Sequence, residues 1–79
     1  MLRYHLNMIE KVTVPDETGI EKSNLDDAKF AAIAAARDLI ATDIIAGVPI
    51  HGSYRIEIAD STRQVIHIVR FDNVIDFRS

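Results

Sequence analysis

Residues 23–47 constrain this chain more than any other stretch, because local chemistry fixes a helix there at both ends. Ser23 or Asn24 can cap the first turn, its side-chain oxygen accepting an amide hydrogen that the helix leaves unpaired. Asp26 and Asp27 set negative charge where the helix dipole is positive. Gly47 can take the left-handed conformation that ends a helix, and Pro49 blocks continuation. A helix over about 24–46 is a rod of about 33 Å, at about 1.5 Å per residue, long enough to cross a small sheet diagonally.

The faces of this helix follow from a turn of about 100° per residue. Leu25, Ala28, Ala32, Ala35, Ala36, Leu39 and Ile40 share a broad arc, with Ile33 and Ile44 at its edge, and this arc is the expected core face. Its small side chains imply a close approach to whatever lies beneath. Phe30, Ala34, Ala41 and Ile45 fall nearly opposite, separated by Arg37 and Asp38. Alanine is a strong helix former at exposed sites. Phe30 and Ile45 are different, because burying each contributes about 1.5–3 kcal/mol. A self-association surface on this back face is the expectation.

Length supports that expectation. The 79 residues form one domain, 1–79, with no linker. A domain of this size hides only roughly 60–65% of the surface of its unfolded chain. Disulfides, metals or oligomerisation commonly supply the missing stability. The chain has no cysteine, which removes disulfides, thiolate zinc sites and cysteine nucleophiles together. Nine Lys and Arg against twelve Asp and Glu give a net charge of −3, unhelpful for holding a phosphate backbone. No export signal and no membrane span can be read, so a cytoplasmic protein is expected.

The flanking segments read as strands. Residues 3–9 alternate Tyr4, Leu6 and Met8 against His5 and Asn7, the period of a half-buried strand. Residues 12–14 form a short second strand ended by Pro15, and residues 16–19 form a loop in which Gly19 can take a positive φ. Beyond the helix, residues 54–58 and 64–71 give two more strands joined by a turn at Asp60-Ser61-Thr62-Arg63. The expected fold is α+β: a two-layer β-β-α-β-β domain, a four-stranded mainly antiparallel sheet with one long helix on one face. The run Val65-Ile66-His67-Ile68-Val69 is apolar toward both faces of that sheet. Either Val74, Ile75 and Phe77 of the tail cover its outer side, or a second subunit does. At an open edge such a run invites pairing with another chain. Ile66 and Ile68 therefore join the candidate self-association residues.

The layout Arg3-Tyr4-x, Asp16-Glu17-x-Gly19-x-Glu21, Leu25-x-x-Ala28, Ala32-x-x-x-Ala36-Arg37-x-Leu39, Tyr54-x-Ile56-x-Ile58-x-Asp60 and Val69-x-Phe71 resembles a family of short uncharacterised bacterial proteins, frequent in rhizobia and related alphaproteobacteria. The similarity spans nearly the whole chain, mostly at core and turn positions. Where that family usually has glycine in the turn before the last strand, this chain has Ser61-Thr62-Arg63. Where it often has proline before the last phenylalanine, this chain has Arg70. The resemblance implies the order of elements and no activity.

Candidate chemistry is sparse. His5, His51 and His67 have no metal-ligand spacing, although His5 and His67 could meet across neighbouring strands, joined by Asp72 or Asp76. Asp16-Glu17 reads as a solvated loop pair and Asp26-Asp27 as a helix start, since the twelve-residue calcium-loop pattern is absent. Asp43 projects from the core side near the helix end, either into water or onto the backbone of the 47–52 connection. Ser23, Ser53 and Ser61 lack a placed histidine, and three isolated glycines make no phosphate loop. No catalytic residue, cofactor or metal is expected. A homodimeric interaction or regulatory module is the first expectation. The alternative is a nucleic-acid-associated or antitoxin-like regulator, drawing on Arg3, Arg55, Arg63, Arg70 and Arg78. Glu57, Asp60, Asp72 and Asp76 interleave with those arginines, and no aromatic pair offers a stacking platform.

Overall fold

In a computed structural model that describes residues 1–75, the helix α1 runs from Leu25 to Ala46. Asn24 is its cap, accepting the Asp27 amide hydrogen at 2.9 Å. Gly47 closes the other end at φ 72°, and the amide of Val48 donates to the Asp43 carbonyl at 2.9 Å. That carbonyl, rather than the Asp43 carboxylate, ties the helix end to the connection that follows.

Five strands, not four, make the sheet: β1 (Leu2–Ile9), β2 (Thr13–Val14), β3 (Ile20–Lys22), β4 (Arg55–Ala59) and β5 (Val65–Arg70). A short 3-10 turn, Phe71–Asn73, follows β5. All pairings are antiparallel and the main order is β2-β1-β4-β5. The added strand, β3, pairs with Leu2, Arg3 and Tyr4, while β2 pairs with Met8 and Ile9. Since β4 occupies the other edge of β1, β2 and β3 share one edge, end to end. Three residues, Ile20-Glu21-Lys22, are too short to show a period of their own, so their strand is decided only by β1 lying beside them.

The core lies between α1 and one sheet face. Ala28, Ala32 and Ala36 have no exposed surface at all, and they meet Ile56, Ile58 and Tyr4 from the sheet. Ile44, read as the edge of the core face, is exposed instead, at the rim of a recess it shares with Ile40, Ile50 and Phe71. At the far end, Phe71 is fully buried and meets the Tyr54 ring edge-on at 6.1 Å. Val74 packs into this same core, and Arg37 Nε donates to its carbonyl at 3.0 Å. The tail residues Val74 and Ile75 thus sit under the helix and leave the outer side of β5 uncovered; Phe77 lies outside the described residues. Among the described residues no helix is long and apolar enough to cross a membrane.

The alanine contact makes a prediction. Ala32→Leu adds volume where no space exists and should cost about 1–3 kcal/mol. Ala34→Leu on the exposed side should stay within about 0.5 kcal/mol of the parent. Urea midpoints of the two variants measure the difference; equal midpoints would mean that the helix does not sit tightly on the sheet.

Candidate functional site

The residues expected to associate occupy two separate surfaces. Phe30, Ala34, Ala41 and Ile45 are all exposed along the outer side of α1, Phe30 at 74% and Ile45 at 87%. Fifteen residues of helix separate the two large side chains by about 22 Å, so they do not form one patch. Ile45 instead neighbours Ile44 and Val48, two exposed apolar residues at the helix end. The sequence pattern assigned Ile44 to the core and so missed this patch. Ile66 and Ile68 are exposed at 39% and 46% on β5, in the other layer.

β5 is an edge strand, and its geometry shows which backbone groups are free. The Phe71 amide donates to the Tyr54 carbonyl at 2.9 Å, so antiparallel alternation makes Ile56–Val69 and Ile58–His67 the hydrogen-bonded pairs. The amides and carbonyls of Ile68 and Arg70 therefore point away from β4. A bulge opposite the step from Ile58 to Ala59 interrupts the other end of the strand.

The strongest polar constellation surrounds Asp16, at the break between β2 and β3. Its carboxylate replaces the missing strand, accepting the Leu6 amide at 3.1 Å and the Gly19 amide at 2.9 Å. Its own amide donates to Asn7 Oδ1 at 2.8 Å. Its carbonyl accepts from His5 Nδ1 at 2.7 Å and from Arg63 Nη1 at 3.0 Å. Arg63 Nη2 also reaches the Glu17 carbonyl at 3.3 Å, and Arg3 Nη1 reaches the Thr18 carbonyl at 2.7 Å. Gly19 is obligatory in this loop: φ is 76°, and a Cβ there would lie 2.8 Å from the Tyr4 carbonyl. Asp16 is thus not the solvated loop carboxylate expected. Burial alone would raise its carboxyl, but the Gly19 and Leu6 amides and the charge of His5 outweigh that and hold it below the ordinary aspartate value. His5 is buried as a satisfied strand histidine.

The turn between β4 and β5 is held by Asp60, whose Oδ1 accepts from Thr62 Oγ1 at 2.6 Å, the Thr62 amide at 2.9 Å and the Gln64 amide at 3.1 Å. The Thr62 hydroxyl is the main reason that this carboxyl also sits below its ordinary value. Arg63 takes φ 70°, the left-handed conformation that glycine adopts freely. Its guanidinium bonds to the 16–17 carbonyls offset that strain.

Several groupings that the sequence left conceivable do not form among the described residues. His5 pairs with Ala59 and His67 with Ile58, successive β4 residues that face opposite sides of the sheet, and β4 separates their strands. The register therefore keeps the two histidines apart. Among the described residues no three His, Cys, Asp or Glu side chains gather as a metal site. His51 is exposed and leans on the Tyr54 ring at 5.2 Å. Three arginines of the candidate basic face engage carboxylates: Arg3 with Glu21 at 2.8 Å, Arg55 with Glu57 at 3.0 Å, and Arg70 with Asp72 at 2.9 Å. Asp76 and Arg78 lie outside the described residues. An apolar recess of about 240 Å³ lies at the helix end between Ile40, Ile44, Ile50 and Phe71. It is smaller than the roughly 300–1,000 Å³ of ordinary ligand pockets.

Two measurements test the polar cluster. Arg63→Ala keeps the left-handed strain and loses the guanidinium bonds, so it should cost about 1 kcal/mol and be less stable than Arg63→Gly, which loses the strain as well. Equal urea midpoints for the two variants would remove the strain from the account. Because the folded Asp16 carboxyl is depressed, its stabilisation is complete above the unfolded value, near pH 4, and fades as pH falls through the folded value. Urea midpoints from about pH 6 to about pH 2 should therefore fall further in the parent than in Asp16→Asn.

No curated protein and no solved structure matches the chain. The profile of one family does match, over residues 3–72, from the first strand to the 3-10 turn. The chain belongs to that family, a domain of unknown function, DUF6894.

Proposed function

We propose that the protein is a non-enzymatic, homo-oligomeric interaction or regulatory module, most simply a homodimer. The observation that carries this reading is the exposure of two large apolar side chains, Ile66 and Ile68, on the edge strand β5. Phe30 and Ile45 add exposed apolar surface on the opposite layer. A non-enzymatic role is supported by the polar cluster, whose members spend their hydrogen-bonding groups on the β2–β3 junction. The resemblance to short bacterial proteins supports a bacterial setting, and the cytoplasm is the default location in this reading. The alternative, a nucleic-acid-associated or antitoxin-like regulator, is weaker because Arg3, Arg55 and Arg70 are engaged with carboxylates of the same chain.

Native mass spectrometry of the untagged protein tests the reading. A dimer mass is expected. A monomer at every accessible concentration sinks the proposal, and a steeply salt-dependent complex with mixed RNA would favour the alternative. Phe30→Glu combined with Ile45→Lys then locates the contact: a surviving dimer assigns it to β5, and a monomer assigns it to the outer side of α1.

A further inference from the structure

The two edges of the sheet are treated differently by the sequence. The β2–β3 edge is divided into pieces of two and three residues. Pro15 and the Asp16 loop interrupt it, and Glu21 and Lys22 charge it. Each is a known way of preventing strand addition. At β5, the bulge near Ala59 and the charge of Arg70 bound the strand at its ends and leave the middle bare.

That middle, Val65-Ile66-His67-Ile68-Val69, reads the same in both directions. An antiparallel pairing about a two-fold axis brings a strand against its own reverse, so a palindromic run is its own complement. Centred on the run, the pairing sets valine against valine and isoleucine against isoleucine. Ile68 supplies an outward amide and carbonyl for it. The flank of α1 above β5 adds a second contact surface. There Lys29, Ile33, Val69 and Val74 border a groove of about 260 Å³, next to where the second copy's strand would lie.

We propose that β5 pairs antiparallel with β5 of a second copy, with the two-fold axis at His67, joining two sheets into one. The inference rests on the homodimer reading above and names its interface. The occupant is a second copy because the palindrome matches this chain to itself.

The absence of cysteine gives a direct test. His67→Cys places one thiol per chain at the proposed axis, where facing Cα atoms lie about 4.5–5.5 Å apart, within disulfide reach. Mild oxidation should give a covalent dimer from His67→Cys and none from Ile45→Cys. Ile68→Pro removes an amide that β4 does not use, so the monomer fold should persist by circular dichroism. Its dimer dissociation constant should rise about 100-fold, because the two-fold removes the bond twice. A dimer that keeps its parent affinity in Ile68→Pro and cross-links only through Ile45→Cys would overturn the β5 pairing and leave the homodimer standing. Should Ile68→Pro unfold, the two cysteine variants decide alone. A parent protein that is monomeric throughout would end both proposals.

Discussion

Everything in this domain depends on how closely the helix lies on the sheet. Ala28, Ala32 and Ala36 present only methyl groups toward the sheet, and all three are wholly buried. Close approach lets a single helix close one face of the sheet with modest side chains and still bury Ile56 and Ile58. It also limits the width that one helix can cover. The consequences appear at both margins: Ile44 and Ile45 stay exposed at the helix end, and β5 stays half-covered.

The side of the sheet formed by β2 and β3 shows how polar chemistry substitutes for backbone pairing. β1 is eight residues long, and its outer edge is met by two short pieces that leave a gap near Leu6. An unpaired amide there would be costly. The Asp16 carboxylate fills the gap, and His5, Asn7, Arg3 and Arg63 fix the loop that carries it. Arg63 reaches across from the β4–β5 turn, so the loop before the helix and the hairpin after it are joined by one side chain. The strain at Arg63 and the glycine at position 19 belong to the same device. The groups of this cluster are spent largely on backbone partners.

At the opposite side nothing comparable occurs among the described residues. The free amide and carbonyl of Ile68, the exposed isoleucines and the tail turned under the helix leave β5 open. A small domain gains stability by covering such an edge, and a self-complementary strand is covered most simply by its own copy. The polar edge and the open edge thus give the sheet a direction in which it can grow.

The helix and its ends were legible from residues 24–47 alone, because capping, dipole and glycine termination act within one or two turns. The alternation of Tyr4 with His5 and of Ile56 with Glu57 likewise assigned the faces of β1 and β4, since a period of two is a local property. The strand at Ile20–Lys22 was hidden because three residues become a strand only when a neighbour pairs with them. The role of Asp16 was hidden for a related reason: its partners Leu6, His5 and Arg63 lie 10, 11 and 47 residues away. The six candidate association residues were readable as apolar and outward, yet their division between two layers followed from the packing of α1 on the sheet. Sequence chemistry fixed what each segment can form; long-range pairing decided which amides were left free, which histidines were kept apart and which edge stayed open.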